Sequence, residues 1–528
     1  MSDSRFPTFR LLFRLFGRIY RWIFSWRTIR RVLISIGLLL TLVALVWTEE
    51  NVRGKWAWNR YKSQLEARGE KLELADFVPP KVPDDQNFAM TPLLAGLYDF
   101  VPDAARKPGQ SVFRDTNAQN RASLLRWSGN ISNPIPNAAT GVWTNGSPLE
   151  INAWASYFKG AKNSASSLTR KEAAQEVLRG LNQFQPQMDE LERARQRPTC
   201  RFNIDYEAEN PTQILLPHLA TLKGDAIVFQ VRADAELALG KTTEALSDVE
   251  MMIYLADALK QEPFEISHLV RIAILELALE SIWEGLSEHK WSDKQLVELQ
   301  SRLNTLDILS DYRSVLASER AWAIKGIEFL RKHWKVDTYT GEERPVPLIM
   351  PSGWYHQNKV TVARIITDRF LPYIDTTNHH IWPDKIPTLQ ILGREAGRFF
   401  PFQGLALIFL GLPWPDSDAF PVKFALAHTK VNQAVIACAL ERYRLKNSHY
   451  PESLNALTPN FLQTIPNDVI GGKPLIYRLK DERHFILYSI GWNEKDDGGT
   501  IGSSIGDDGK NHYDIKKGDW VWPEYPAE

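Results

Sequence analysis

The chain has 528 residues, and its 63 lysines and arginines balance 63 aspartates and glutamates. Its 44% apolar and 24% charged content is that of a globular protein, and the length predicts two to four domains. The body carries no basic stripe, which argues against nucleic acid as a partner, and two cysteines, Cys200 and Cys438, are too few for a small disulfide-stapled exported fold.

Charge is unevenly placed along the chain. Residues 1–31 hold eight arginines (5, 10, 14, 18, 21, 27, 30 and 31) against Asp3, a net of +7. That leaves 55 basic and 62 acidic residues in 32–528, a net of −7. Arg10, Arg14, Arg18 and Arg21 step by 4, 4 and 3, while Phe9, Leu12, Phe13, Phe16, Ile19 and Ile23 fill the other side. This basic amphipathic leader suits an anionic inner leaflet. It reads equally well as a topology signal and nothing more.

Val32 to Trp47 follows, sixteen residues without a charge. As a helix it spans about 24 Å against a hydrocarbon core of about 30 Å, and the flanking arginines can snorkel to extend its reach. The segment predicts a transmembrane anchor. A buried core helix is the bland alternative, but Arg27, Arg30 and Arg31 flank the run. A cleaved signal peptide fits less well, because the preceding region is long and Ala44-Leu-Val-Trp47 offers no A-x-A site. Arg30-Arg31 is a twin arginine, though so apolar a run is a poor twin-arginine export signal. The arginine excess places the N-terminus in the cytoplasm and residues 48–528 outside, as expected of a single-pass protein in a bacterial cytoplasmic membrane.

Residues 48–211 read as a mixed, loop-rich region with helices. A helix from Trp56 to Leu74 is expected to turn Trp56, Trp58, Tyr61, Leu65 and Leu72 toward the body. Prolines at 79, 80, 83 and 92 predict an extended strap over 77–92. Residues 107–163 are rich in Asn, Gly, Ser and Pro and carry few structural signals. Thr169-Arg-Lys-Glu172 is a capping box, opening a helix that turns Ala173, Ala174, Val177, Leu178 and Leu181 inward.

Residues 212–333 predict antiparallel helices, the last spanning 293–332 and opened by Ser292. Ala233, Gly240, Ala245 and Val249 resemble the turn of a tetratricopeptide repeat in a single copy, and a plain helical bundle is the alternative. Residues 334–423 read as a connecting region, with a helix near 357–372 and a buried apolar run, Leu405 to Leu412.

Residues 424–528 predict an α+β domain. Lys430, Gln433, Glu441 and Arg444 make a polar stripe on a helix whose remaining girth, including Val431, Val435 and Cys438, is apolar. Strands at Leu475–Lys480 and His484–Ile490 form a hairpin, and a Gly/Asp-rich loop follows. The fold class expected of the whole is mainly α, with one anchor helix and a small antiparallel sheet at the C-terminus.

The sequences ALERYRLKNSHYP (439–451), IPND (465–468), PLIYRL (474–479), YSIGWNEKDDGG (488–499) and YDIKKGDW (513–520) stand in that order. As an ordered set they resemble the periplasmic domain of the major pseudopilin of type II secretion. The pseudopilin leader and its long N-terminal hydrophobic helix are not matched. The whole chain is also similar to large membrane-anchored bacterial proteins, a likeness that implies no activity. The pseudopilin resemblance implies calcium in the acidic loop, held by Asn493, Asp497 and Asp514 with Asp496 adjacent. Asn493 stands where the family pattern favours Asp. Such oxygen ligands suit a hard cation.

Catalytic signals are weak. Gly502-Ser503-Ser504-Ile505-Gly506 matches G-x-S-x-G without the helix that a nucleophile elbow requires. Glu265-x-x-His268 is half of a di-iron motif without its second copy, and His379-His380 reads as part of a loop. The expected role is interaction or structure at the cell envelope through protein partners, with an envelope hydrolase as the alternative.

Overall fold

A computed structural model describes residues 25–102, 111–124, 143–160, 168–333, 335–337, 343–345, 350–388, 420–506 and 509–524. The leader arginines 10–21, the run Leu405–Leu412 and much of 107–163 lie outside the described residues.

Ser25 opens helix α1 (Trp26–Ala67), its Oγ accepting from the Thr28 N–H at 3.3 Å. At about 1.5 Å per residue the 42 residues run roughly 63 Å. Among the described residues nothing buries the apolar window of its first half. Every large apolar side chain from Val32 to Val46 is exposed by 46% or more, which no water-solvated core helix tolerates over such a length. In and just beyond that half the Thr41 and Thr48 hydroxyls donate to the carbonyls of Gly37 and Ala44, both at 2.8 Å. Their hydrogen bonds are thus satisfied inside the helix, as an apolar surround demands. Helix α1 is long and apolar enough to cross a membrane. Pro211–Ala238 also meets that test, but 67% of its apolar window is buried, which makes it a core helix.

The second half of α1 belongs to the body. The expected separate helix at Trp56–Leu74 is a continuation of the anchor that ends at Ala67, where Gly69 takes a φ of 77°. Trp58, Tyr61, Leu65 and Leu72 are buried as expected, but Trp56 is 61% exposed. Trp56 and Trp58 stand two residues apart, about 200° around a helix, and cannot share a face.

The strap is a chain of short 3₁₀ turns (Leu74–Phe77, Asp84–Gln86, Phe88–Met90) leading into α2 (Pro92–Ala95), not a uniformly extended segment. Pro92 sits in the first turn of α2, where no amide donor is needed. Buried Asn87 ties the strap down: its Oδ1 accepts from the Arg201 N–H and its Nδ2 donates to the Arg201 carbonyl, both at 2.8 Å. A β1–β2 pair (Phe100–Pro102, Ser111–Phe113) and α3 (Thr116–Ala122), α4 (Ile151–Phe158), α5 (Arg170–Leu181) and α6 (Gln185–Ala194) follow. The Thr169/Glu172 capping box is present at the head of α5.

The core helices are α7 (His218–Ala238), α8 (Thr242–Asp257), α9 (Glu265–Ser287), α10 (Asp293–Leu303) and α11 (Ile308–Lys332). Ser292 caps α10, with Gln295 completing a capping box. The single helix expected over 293–332 is instead α10 and α11, because Asp307 caps a new start by accepting from the Ser310 N–H at 3.1 Å. Beyond the β3–β4 pair (Lys335–Asp337, Glu343–Pro345), α12 (Ser352–Arg364) runs into a π-helical turn, Ile365–Phe370. The strands β5 (Ile374–Asp375) and β6 (His380–Ile381) pair across a tight turn.

Helix α13 (Phe420–Asn447) packs on α9, α10 and α11. Its polar stripe is not solvated. Lys430 pairs with Glu276 at 2.7 Å, and the Gln433 amide donates to the Trp520 carbonyl at 2.7 Å. Glu441 accepts from Arg444 and from the Tyr450 hydroxyl and meets His289 at 3.0 Å. Burial works to raise the Glu441 carboxyl, but the hydrogen bonds from Arg444 and His289 prevail and hold it at about 2.

Strands β7 (Ile476–Leu479) and β8 (Phe485–Ser489) form the expected hairpin, in the register Ile476↔Tyr488 to Leu479↔Phe485. β11 (Trp520–Val521) adds on the other side of β8. Part of the Gly/Asp loop is itself a hairpin, β9 (Ile501–Ile505) with β10 (Asn511–Gly518). One apolar cluster extends from Phe88 to Trp522, so the C-terminal sheet and the helices share a core.

Candidate functional site

The acidic residues expected to hold calcium lie beside the C-terminal sheet, each with a partner. Asp496 accepts from the Tyr488 hydroxyl at 2.8 Å and the Gly498 N–H at 2.9 Å, bonds that hold its carboxyl below the usual range. Asn493 donates to Asp497 at 2.8 Å. Asp514 accepts from the Lys516 N–H at 3.0 Å and pairs with Lys517 at 3.4 Å. Asn493 and Asp497 therefore meet, while Asp496, Asp497 and Asp514 do not converge as a set of three. Asp519, a residue the motif reading passed over, is buried beneath the loop and accepts from the N–H groups of Asp497, Gly499 and Thr500 at 2.6–3.3 Å. Asp468 of the IPND sequence has a similar scaffolding part, accepting from Ser489 Oγ at 2.8 Å and from the Ile490 N–H at 3.2 Å.

A second place of interest is the seam between α1 and α12. A Cβ on Gly54 would stand 2.1 Å from the Gly353 carbonyl oxygen, and one on Gly353 would stand 1.9 Å from that of Glu50, so only glycines permit this approach. Glu50 accepts from Trp354 Nε1 at 3.0 Å and Gln357 Nε2 at 3.2 Å, and Asn51 Oδ1 accepts from the Gly353 N–H at 2.9 Å. Farther along, Trp58, Tyr61 and Leu65 pack with Ile324, Val360 and Ala363, and the Lys359 ammonium lies 4.8 Å from the Trp58 ring centre.

The third place joins side chains far apart in sequence. Asp307 at the head of α11, His379 in the β5–β6 turn and His428 in α13 bring one ligand atom each within 4.8 Å of one another. It is the only such group of three or more His, Cys, Asp or Glu among the described residues. Packing explains the meeting. Tyr312 of α11 stacks on Phe424 of α13 at 4.1 Å, which fixes His428, one turn farther on, beside the α11 head. Arg313 donates to the Leu371 carbonyl at 2.6 Å and to that of Ile374 at 3.3 Å, holding β5 against α11. Asp375 accepts from the Thr377 and Asn378 N–H groups and so shapes the turn. His379 then adopts a φ of 48°, unusual for a residue with a Cβ. Its ring lies 5.2 Å from that of His428, and its Nδ1 is 3.5 Å from Asp307.

Burial and the nearby His379 keep the His428 imidazole at about 4, neutral at neutral pH. Burial pushes Asp307 up, but the two hydrogen bonds from Ser310 lead the contributions that hold the carboxyl below its usual range. The donor set is thus a carboxylate and a neutral imidazole around the partly exposed His379. The loop reading holds for the backbone of His379, whereas His380 opens β6 and pairs with Asp375. No local pattern announces the other two members, which stand 72 and 49 residues away.

The remaining motifs do not gather a further cluster among the described residues. Ser504 of the G-x-S-x-G match lies in β9 opposite His512, with no helix after it among the described residues. His268 Nε2 bonds the Glu262 carbonyl at 3.0 Å, and the Glu265 N–H donates to Glu319. No family model, curated protein or solved structure matches the chain.

Proposed function

We propose that this chain is a single-pass membrane-anchored protein of the bacterial envelope, with a cytoplasmic N-terminus and an external body. In this reading it is a structural or interaction component, linked to secretion, that works through protein partners. The observation that carries it is the unbroken run of α1 from its bare apolar half into a glycine-tight, hydrogen-bonded seam with α12. A flexible tether would let the body wander; a continuous helix holds it at a fixed height above the bilayer, as a scaffold requires. The pseudopilin likeness of residues 424–523 supports the same role, because a long helix followed by a small antiparallel sheet is present there. A tetratricopeptide-like turn at Gly240 and a pseudopilin-like tail complete the proposed architecture.

Chemical cross-linking in intact membranes tests it. Reproducible cross-links from the body to the same few envelope proteins are expected, and a body that yields only self-links contradicts the reading. The rival hydrolase is tested by comparing the chain with Ser504→Ala on broad esterase substrates; activity lost in the variant would favour the rival.

A further inference from the structure

We propose that Asp307, His379 and His428 bind a borderline divalent transition ion of the Zn²⁺ type and leave one coordination position open to solvent. Two imidazoles and one carboxylate are the ligand types of three-ligand zinc sites, whose fourth position takes water or an exogenous group. Calcium and magnesium, which prefer oxygen cages, fit this donor set poorly.

Three observations carry the assignment beyond mere proximity. First, His428 is 96% buried, and its Nδ1 has no hydrogen-bond partner among the described residues. A buried imidazole nitrogen without a partner forfeits the energy of its lost hydration, and a ligand would restore it. Second, the Nδ1 of His379 is also without a hydrogen bond among the described residues, and 3.5 Å from Asp307 is too long to supply one. Third, His379 is held in the left-handed region by the Asp375 turn, a strained conformation that places its ring against His428.

The geometry is close to that required. Donors 2.0–2.1 Å from one tetrahedral ion stand about 3.3 Å apart. The present separations of up to 4.8 Å close by a shift of roughly 1–1.5 Å, which the half-exposed His379 can supply by rotating its side chain. His428 forms the fixed base, and Asp307 and His379, 38% and 44% exposed, form the solvent-facing rim. The open position therefore points outward. An ion there would link α11, the β5–β6 turn and α13.

The competing explanation is that Asp307 serves only as the cap of α11. Serine caps as well as aspartate but is a poor ligand, so Asp307→Ser separates the two roles. The experiment uses the full chain in detergent, without a polyhistidine tag and stripped by chelator, titrated with Zn²⁺ against a chromophoric competitor and with Co²⁺ as a spectroscopic probe. One equivalent is expected to bind, with the visible bands of a low-coordinate Co²⁺ centre. His379→Ala and Asp307→Ser are each expected to weaken that equivalent more than about 100-fold, beyond what loss of an outer-shell partner causes. Both are expected to melt in chelator as the parent chain does. The proposal is overturned if the parent chain takes up no ion, or if either variant binds the same number of ions with unchanged affinity.

Discussion

Asp234 shows what a buried carboxyl does to this core. It is fully enclosed in α7, and burial raises its carboxyl to about 7, with Ser281 and the Arg170 charge opposing more weakly. The folded state therefore holds this proton more tightly than the unfolded chain does. The resulting stabilisation is complete below about 4 and is lost as pH rises through about 7. Asp234→Asn removes that dependence. Thermal or denaturant unfolding should find the variant more stable than the parent at pH 8 by roughly 2–4 kcal/mol, with the gap closing toward pH 4. Equal stability at both pH values would contradict this. Cys438 is buried without a disulfide, and burial pushes its thiol up to about 12. It should resist alkylation in the native chain and react only on unfolding, with mass spectrometry as the readout. Residues of this kind were legible beforehand: the apolar neighbours of Cys438, the capping box at Thr169 and the helix start at Ser292 are local patterns. The Asp307–His379–His428 meeting was not, because it is set by Tyr312 on Phe424 and by a turn, and neither leaves a spacing in the sequence.

Among the elements, α1 and α12 depend on each other most visibly. Gly353→Ala places a methyl against the Glu50 carbonyl, and Gly54→Val does the same from the other side. Overpacking of this sort costs about 1–3 kcal/mol, and here the obstacle is backbone, which cannot swing aside. Limited proteolysis should then cut between the anchor and the body in either variant while sparing the parent. Indistinguishable digestion patterns would show that the seam is not needed. At the other end, the C-terminal loop has an internal organiser in Asp519, whose three N–H bonds the motif reading did not foresee. Asp519→Ala should loosen residues 493–500 in hydrogen exchange. Calcium at Asn493, Asp497 and Asp514, as the pseudopilin likeness implies, should raise the melting temperature of the full chain, with Asp497→Ala losing the gain. Identical melting in calcium and in chelator would assign the loop's order to Asp519 alone. The full chain is the proper sample, because α9 and α10 cover α13. Hydrophobic spacing announced the helices and the β7–β8 hairpin. It missed β9–β10, whose glycines and aspartates signal a loop even where the backbone pairs.

At the scale of the whole molecule, one helix divides into an exposed apolar half and a half packed on the body. The apolar half of α1 is exposed while its other half packs on the body, and in the proposed reading the arginines at its head would set the direction of insertion. This part was read from the sequence directly, since sixteen uncharged residues between arginines and glutamates need no tertiary context. The continuity of anchor and body was not, because the glycines that permit it, Gly54 and Gly353, lie almost 300 residues apart. The most direct test fuses a reporter at Glu528 and assays it in alkaline-washed membranes of intact bacterial cells. The account predicts that a reporter active only outside the cytoplasm works there and stays with the membranes. Activity confined to a cytoplasm-only reporter, or release of the chain into the soluble fraction, would contradict it.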